Sequence, residues 1–497
     1  MLDKFLSEDT MFYNVIEKYN HLHMKGIAML AHRERTQDWM SEHVYRVLPL
    51  SPELQRMKDL FPEECIWEKA KPFYDMEMGR ASEDPVLLTK ILFLSFYYDV
   101  KGDAKTLETL TYRMDWRQFC DLPLDAPIPN RTTVVKFRRR VGLVVITGIF
   151  QAFLETLVAR NLLDLSHRFF DGTPVKARAS INVYRDEIYE ATQEAIHGKL
   201  QHFQAHQLAL DPALNSTPVN LTKSAYAPDN AALDARRAEP MKPVAERASK
   251  GDPDARFQRG KHGKRSELGY EIFFSTDGKQ LFLEDVQVAS EPSQGQQVFL
   301  NKLEQSEAGQ IWSADAEFTT GEIAHKAEEK HVILNTPARP VNTHGLFPKT
   351  EFVYDADTDS YACPHGPCLS LRGTNHKTGE RHYRPERGTC DGCPMRDECT
   401  RSKTGRTVTR HKYEEDLERQ REHARTEQAV MGKVLRGIIA EGKFAEAVRH
   451  GLKTLRYVGR EMAILQSTLV AFILNIKRFI RLEGQGVVRP VGGAPRA

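Results

Sequence analysis

The stretch that constrains this chain most is Ser166–Ser180, where the apolar run Phe169-Phe170 ends on Asp171 and is followed at once by Gly172. A strand that closes this way delivers a carboxylate to the edge of a sheet. The same arrangement recurs at Ile311-Trp312-Ser313-Ala314-Asp315, and a helical pattern much further on carries Glu441 in Ile438-Ile439-Ala440-Glu441. We read the three acids as one site. Each alone has a plainer reading: Asp171-Gly172 is a common turn pair, Asp315 can merely end a strand, and Glu441 can be a solvated helix residue.

The order of elements between the acids joins them. Gly269–Phe274 and Leu281–Val288 flank Thr276-Asp277-Gly278-Lys279, and an Asp-Gly turn between two such runs predicts a hairpin. Ser293–Gln305 reads as a helix, Gln310–Asp315 as a strand, Glu322–Lys330 as a helix and His331–Asn335 as a strand. The result is a mixed α/β sheet flanked by helices, with acids at the ends of two separate strands.

Upstream, Ser82-Glu83-Asp84-Pro85 opens a helix, and a second runs from Lys105 to about Phe119. Prolines 127 and 129 mark a turn, after which Thr132 or Thr133 can cap a third helix holding Lys136, Arg138, Arg139 and Arg140. Three short helices with the last one basic suggest a helical DNA-binding region over residues 1–145; the alternative is a helix with a solvated basic face. Val144–Leu163 is a further apolar helix. Residues 181–266 form a polar insertion, partly helical over Arg185–Leu208, whose end carries Arg256, Arg259, Lys261, Lys264 and Arg265. That cluster can grip a phosphate backbone or simply belong to a flexible solvated loop. Helices are expected over Lys412–Glu441 and Arg460–Leu482, and residues 483–497 form a Gly/Pro-rich tail expected to be disordered.

Five of the seven cysteines lie between Cys363 and Cys399, while Cys65 and Cys120 stand alone in apolar surroundings. Met1-Leu2-Asp3-Lys4 does not open a secretory signal, so the cluster is expected to be metal thiolate, not disulfide. Cys363, Cys390, Cys393 and Cys399 supply a filled tetrahedral set for structural zinc in an insert over 345–405, with Cys368 or His365 as a possible substitute; the alternative is free thiols in a polar insert. The net charge of +2 gives no global field, so any nucleic-acid contact must rest on local patches. No run of eighteen apolar residues appears, Ile91–Tyr98 and Ser467–Ile476 being too short to span a bilayer, and a soluble cytoplasmic protein is expected.

Phosphoryl transfer on a nucleic-acid backbone needs an activated hydroxyl and a stabilised leaving oxyanion, and two divalent ions about 3.5–4 Å apart meet both needs. Magnesium takes oxygen ligands, which suits Asp171 bridging both ions with Asp315 on one and Glu441 on the other.

The residues Phe170-Asp171-Gly172-Thr173-Pro174-Val175-Lys176-Ala177, Ala314-Asp315-Ala316-Glu317-Phe318 and Glu441-Gly442-Lys443-Phe444-Ala445-Glu446-Ala447 with His450-Gly451-Leu452 resemble the DDE transposases of bacterial insertion sequences. Asp252-Pro253-Asp254-Ala255-Arg256, Asn475-Ile476-Lys477-Arg478 and the region from Gly79 through Arg138 extend the resemblance over about residues 70–482. It implies a ribonuclease-H-like catalytic domain over 160–340 and 410–482, with Asp171, Asp315 and Glu441 as its acids in order. It implies that water attacks a phosphodiester at the element's end and that the freed 3′ hydroxyl attacks target DNA, under two Mg2+ ions. It further implies a homodimer when two ends are paired, working at the nucleoid. A DNA-binding derivative that has lost cleavage is the alternative. Val448 stands where the family usually shows a lysine, and Asp315-Ala316-Glu317-Phe318 replaces a more typical Asp-x-Gly-Tyr. Glu427, Glu446 and Glu461 compete for the third role, Glu446 first.

Overall fold

A computed structural model describes residues 38–74, 81–179, 251–258, 267–291, 293–338, 345–375 and 379–488. Three short helices come first: α1 (Trp39–Val47), α2 (Pro52–Asp59) and α3 (Glu63–Ala70). Asp38 and Ser51 accept from backbone amides of the first turns of α1 and α2, satisfying donors that a helix start leaves open. Helix α4 (Pro85–Tyr97) begins at the expected Asp84-Pro85 and is buried along nearly its whole length. The single helix expected from Lys105 is two, α5 (Asp103–Tyr112) and α6 (Met114–Phe119), because Arg113 takes extended backbone angles and donates to Asp115.

Asn130, not Thr132 or Thr133, caps α7 (Arg131–Phe137). Helix α7 does not stop there but continues through a π turn, Arg138–Gly142, into α8 (Leu143–Ala159). The basic run therefore lies inside one long rod. By length and composition this rod and α14 (Arg460–Gly484) could each cross a membrane, contrary to the expectation from apolar run length. Both are instead mostly buried within the fold, where their apolar residues pack against each other.

The main sheet is built on β1 (His167–Lys176). On one side β3 (Glu267–Asp277) runs antiparallel to it, and β2 (Arg256–Gln258) and β4 (Leu283–Ala289) share the far edge of β3 end to end. On the other side β5 (Ile311–Ser313) and β6 (Ile333–Asn335) run parallel to β1. Helices α9 (Gln294–Glu304) and α10 (Gly321–Glu329) cover one face, over a core of Phe170, Phe273, Phe299, Trp312 and Phe318. The expected hairpin, helix, strand, helix, strand order is thus present, each element within a few residues of its expected bounds.

The cysteine-rich segment, read from sequence without strands, is a second sheet. Its order is β11 (Val408–Arg410), β10 (Glu380–Arg384), β9 (Gly366–Asn375), β8 (Ser360–Cys363) and β7 (Val353–Asp355), and the short helix α11 (Arg396–Cys399) lies between β10 and β11. It has a small core of its own around Phe352, Tyr361, Leu369, Tyr383 and Val408. The long helix expected over Lys412–Glu441 is α12 (Glu414–His423) and α13 (Glu427–Ala447), parted where Thr426 caps α13.

Helices α13 and α14 cover the second face of the main sheet. Helix α14 also packs on α2, α4 and α8, so one core runs from Leu50 through the helices to Ile272 and Phe274 of β3 and Val288 of β4. Asn475, fully buried on α14, accepts from the Leu283 amide and donates to the Leu283 carbonyl, both at 2.8 Å. A side-chain amide there takes the place of a neighbouring strand and closes the edge of β4.

Candidate active site

The parallel strands fix the level of the two aspartates. Phe169 of β1 pairs with Ser313 of β5, and Ser313 with Asn335 of β6. Asp171 and Asp315 each lie two residues further on, so they leave adjacent strands at the same level. Asp315 sits just past β5 and caps a short 3-10 turn, its Oδ1 accepting from the Glu317 amide at 2.8 Å. Asp171 remains within β1, paired with Phe274 of β3, and its Oδ1 accepts from the Gly172 amide.

Helix α13 lies over this edge. Gly432 lets it approach: a Cβ there would stand 2.7 Å from Asn335 Nδ2 and 2.8 Å from Ser313 Oγ. His167 Nε2 meets Ser313 Oγ at 2.9 Å and His423 Nε2 meets Asn335 Oδ1 at 3.0 Å, forming a polar layer under the helix. Burial holds both imidazoles below their ordinary pKa. One turn beyond Gly432, Arg436 Nη1 reaches Asp171 Oδ2 at 2.9 Å. Sequence reading missed Arg436, although it falls in the register Ala429, Gly432, Arg436, Ala440, Lys443, Ala447 that points at the sheet.

Glu441 does not complete a cage in this arrangement. It stands five residues after Arg436, about 140° round the helix, on the exposed side of α13. Among the described residues it makes no hydrogen bond or ion pair, and no three His, Cys, Asp or Glu side chains come together as a group able to hold a metal. Of the three acids read as one site, Asp171 and Asp315 stand at one level on adjacent strands, and Glu441 lies exposed on the helix above them. The competitor Glu446 is held by Lys477 at 2.9 Å; burial pushes its carboxyl up, but that ammonium wins and keeps it below the usual range.

Two clefts open along α13. One, of about 340 Å3, lies past β6 and is lined by Arg421, Arg425 and Lys433 with Pro337. The other, of about 250 Å3, lies beyond Glu441 and is lined by Lys443, Arg478 and Arg481. Burial lowers the Lys443 ammonium to about 8.

The basic residues expected to grip DNA divide. Lys136 and Arg139 are exposed. Arg138 is buried, ion-paired to Asp103 at 2.7 Å and stacked 3.8 Å over the Tyr457 ring, and Arg140 donates to the Phe73 carbonyl and lies over Tyr74. Arg256 donates to the carbonyls of Pro253 and Ala255. These three guanidiniums are engaged within the fold, where the sequence reading has them gripping DNA. Arg259, Lys261, Lys264 and Arg265 lie outside the described residues, as do Arg185–Leu208 and residues 489–497.

Cys363 ends β8, Cys390 and Cys393 lie in the turns after β10, and Cys399 closes α11. Burial pushes the Cys399 thiol up, Arg406 opposes it, and Cys363, Cys390 and Cys393 are near enough to push it further. A side chain at Gly405 would crowd Cys390 Sγ at 3.0 Å. The possible substitutes stand apart: Cys368 is exposed on β9 and His365 stacks on Phe347. Among the described residues no metal-binding group forms here either, so the zinc set expected from sequence is not assembled as a metal site.

Comparison with known proteins adds identity to this geometry. A family model described as a transposase DDE domain matches residues 362–480, which include Glu441 but neither aspartate. A second, described as a transposase domain (DUF772), matches residues 42–140, the helices α1 to α7 with the start of the π turn. No curated protein matches the chain. Among solved structures, the piggyBac transposase synaptic complex with hairpin DNA is similar over 90% of this chain and 87% of that one, at 10% identity and a TM-score of 0.27, too slight a likeness to carry an argument. Residues 42–140, across the N-terminal helices, and residues 362–480, around the helix that bears Glu441, thus each match a transposase domain, as a DDE transposase would.

Proposed function

We propose that this transposase cuts DNA at the ends of an insertion sequence and joins them to target DNA by metal-dependent phosphoryl transfer, in a ribonuclease-H-like domain. The observation that carries the reading is the pair of aspartates at one level on adjacent parallel strands, under the helix that bears Glu441. The sheet order, with β3 antiparallel to β1 and β2 and β4 antiparallel to β3 on one side, and two parallel strands on the other, supports the fold assignment. The carboxylate oxygens suit Mg2+, and Asp171 already holds a cation, the Arg436 guanidinium. Asp171, Asp315 and Glu441 are the residues we assign to the ions. Bound there, two divalent ions would activate the attacking water or 3′ hydroxyl and stabilise the leaving oxyanion. Gly172 and Arg436 orient the Asp171 carboxylate, and the sheet fixes its level against Asp315. Cys363, Cys390, Cys393 and Cys399 are assigned to structural zinc on their residue type and spacing, with Cys399 electrostatically influenced by the other three. Substrates are the element's ends and target DNA, and pairing two ends calls for a homodimer.

One observation favours a second reading, a DNA-binding protein that has lost cleavage: among the described residues Glu441 forms no metal-capable group with the aspartates. Nicking and strand transfer on end-sequence DNA with Mg2+ separate the two. Asp171→Asn should lower both by more than about a hundredfold while leaving DNA binding in place. Wild-type protein with no metal-dependent nicking would leave only the binding role.

A further inference from the structure

The cleft beyond Glu441 holds a buried cation, Lys443, that makes no hydrogen bond or ion pair among the described residues. Lys443 is 9% exposed, and no carboxylate among the described residues bonds its ammonium. The two nearby acids are taken. Glu446 is paired to Lys477 at 2.9 Å, and Asp277 accepts from the amides of Lys279, Gln280 and Phe282. Arg478 spends its Nε–H on the Gln280 carbonyl, and Arg481 forms no ion pair among the described residues. Three cations and the Lys477-paired Glu446 thus line a space of about 250 Å3 together with Leu281, Ile438 and Ile439, with Gly442, the neighbour of Glu441, beside them. Burying an ammonium without a counter-charge is costly, and replacing its lost hydration with anionic oxygens offsets that cost.

We propose that this cleft seats a backbone phosphate of the bound DNA, next to the one being cut, with Lys443, Arg478 and Arg481 as its ligands. The inference rests on the reading that α13 lies against DNA at Glu441. It is tested on the full chain by measuring affinity for end-sequence duplex DNA between about 50 and 200 mM salt. Lys443→Ala and Arg481→Ala should each lower affinity about tenfold near 0.1 M salt, equally for any sequence, and flatten the slope of log affinity against log salt by about one. Lys443→Met keeps the side chain's bulk and removes its charge; it should bind DNA as weakly as Lys443→Ala while melting at or above the wild-type temperature. Unchanged affinity and slope in both Lys443→Met and Arg481→Ala would overturn the proposal, and so would a loss of melting temperature in Lys443→Met without a loss of binding. Asp171→Asn keeps the two readings apart: if it still cuts DNA, the assignment of the acids fails, whereas the cleft stands or falls on the salt slopes.

Discussion

Glu284 on β4 is 3% exposed, and neither of its carboxylate oxygens accepts a hydrogen bond among the described residues. Arg168 of β1 faces it at 3.7 Å but spends its other amine on Ser306 and Gln310, and Lys302 is drawn off by Asp285 at 3.0 Å. Burial therefore pushes Glu284 from an ordinary 4.5 up to about 7, with Arg168 and Lys302 pulling back and Asp285 and Asp277 adding to the rise. In the window between those values the folded chain keeps a proton that the unfolded chain releases. The sign follows: this contribution is present in full below the window and is lost as pH rises through about 7, by an amount on the order of 3 kcal/mol. Glu284→Gln carries no such proton. Melting temperature measured from pH 5 to 8 should fall less with pH in the variant than in the wild type, with the gap widening toward pH 8. His167, His423 and His450, held low by burial, act in the opposite sense below about 6.5 and cancel in the difference. Parallel curves would mean that Glu284 stays ionised in the fold.

Helix α13 shows how one residue sets an element. Alanine at 432 would gain about 1 kcal/mol of helix propensity, but its Cβ would lie within 3 Å of Asn335 and Ser313, both buried in the sheet, and overpacking of that kind costs about 1–3 kcal/mol. Gly432→Ala should therefore lower stability in denaturant titration by up to about 2 kcal/mol and loosen the Arg436–Asp171 pair one turn on; a stabilised variant would show that α13 does not press on the sheet as described. The contrast with sequence reading is physical. Asp171 and Asp315 were legible because a strand's period of two and an Asp-Gly turn are local signals. Arg436 was not, because its role depends on a strand 265 residues away. The outward turn of Glu441 was hidden for a similar reason: Glu-Gly-Lys says nothing about which side of a helix meets a sheet, and only the small residues Ala429, Gly432, Ala440 and Ala447 mark that side. The strands of the cysteine-rich insert escaped because polar, glycine-containing runs such as Ser370-Leu371-Arg372-Gly373-Thr374 lack the apolar alternation of a half-buried strand. Arg138 and Arg140 looked like a DNA grip because sequence does not reveal Asp103 and Tyr74 as their partners.

At the scale of the whole molecule, the helix that closes the chain's described fold also unites it. Helix α14 buries Leu469, Phe472, Ile473 and Ile476 between the N-terminal helices and the sheet, while Arg456 donates to the carbonyls of Ser95 and Val100 and His450 contacts that of Tyr97 at the end of α4. The N-terminal helices and the main sheet thus share one core. The cysteine-rich sheet has a separate core of six buried residues, too little apolar surface to hold a sheet of five strands without a further tie. Zinc on its four thiolates would be that tie, since structural zinc contributes folding free energy directly. Calorimetry of the purified chain should accordingly resolve two transitions, a larger one for the shared core and a smaller one for the insert. A strong chelator, or Cys393→Ser, should move the smaller transition down by at least about 10 °C and leave the larger within about 2 °C. Because the insert leads into α12 and α13, the same treatment should weaken DNA cutting without melting the sheet that carries Asp171 and Asp315. A single transition insensitive to chelation would show that the four cysteines hold no metal and that the insert is held by its contacts with α12 alone.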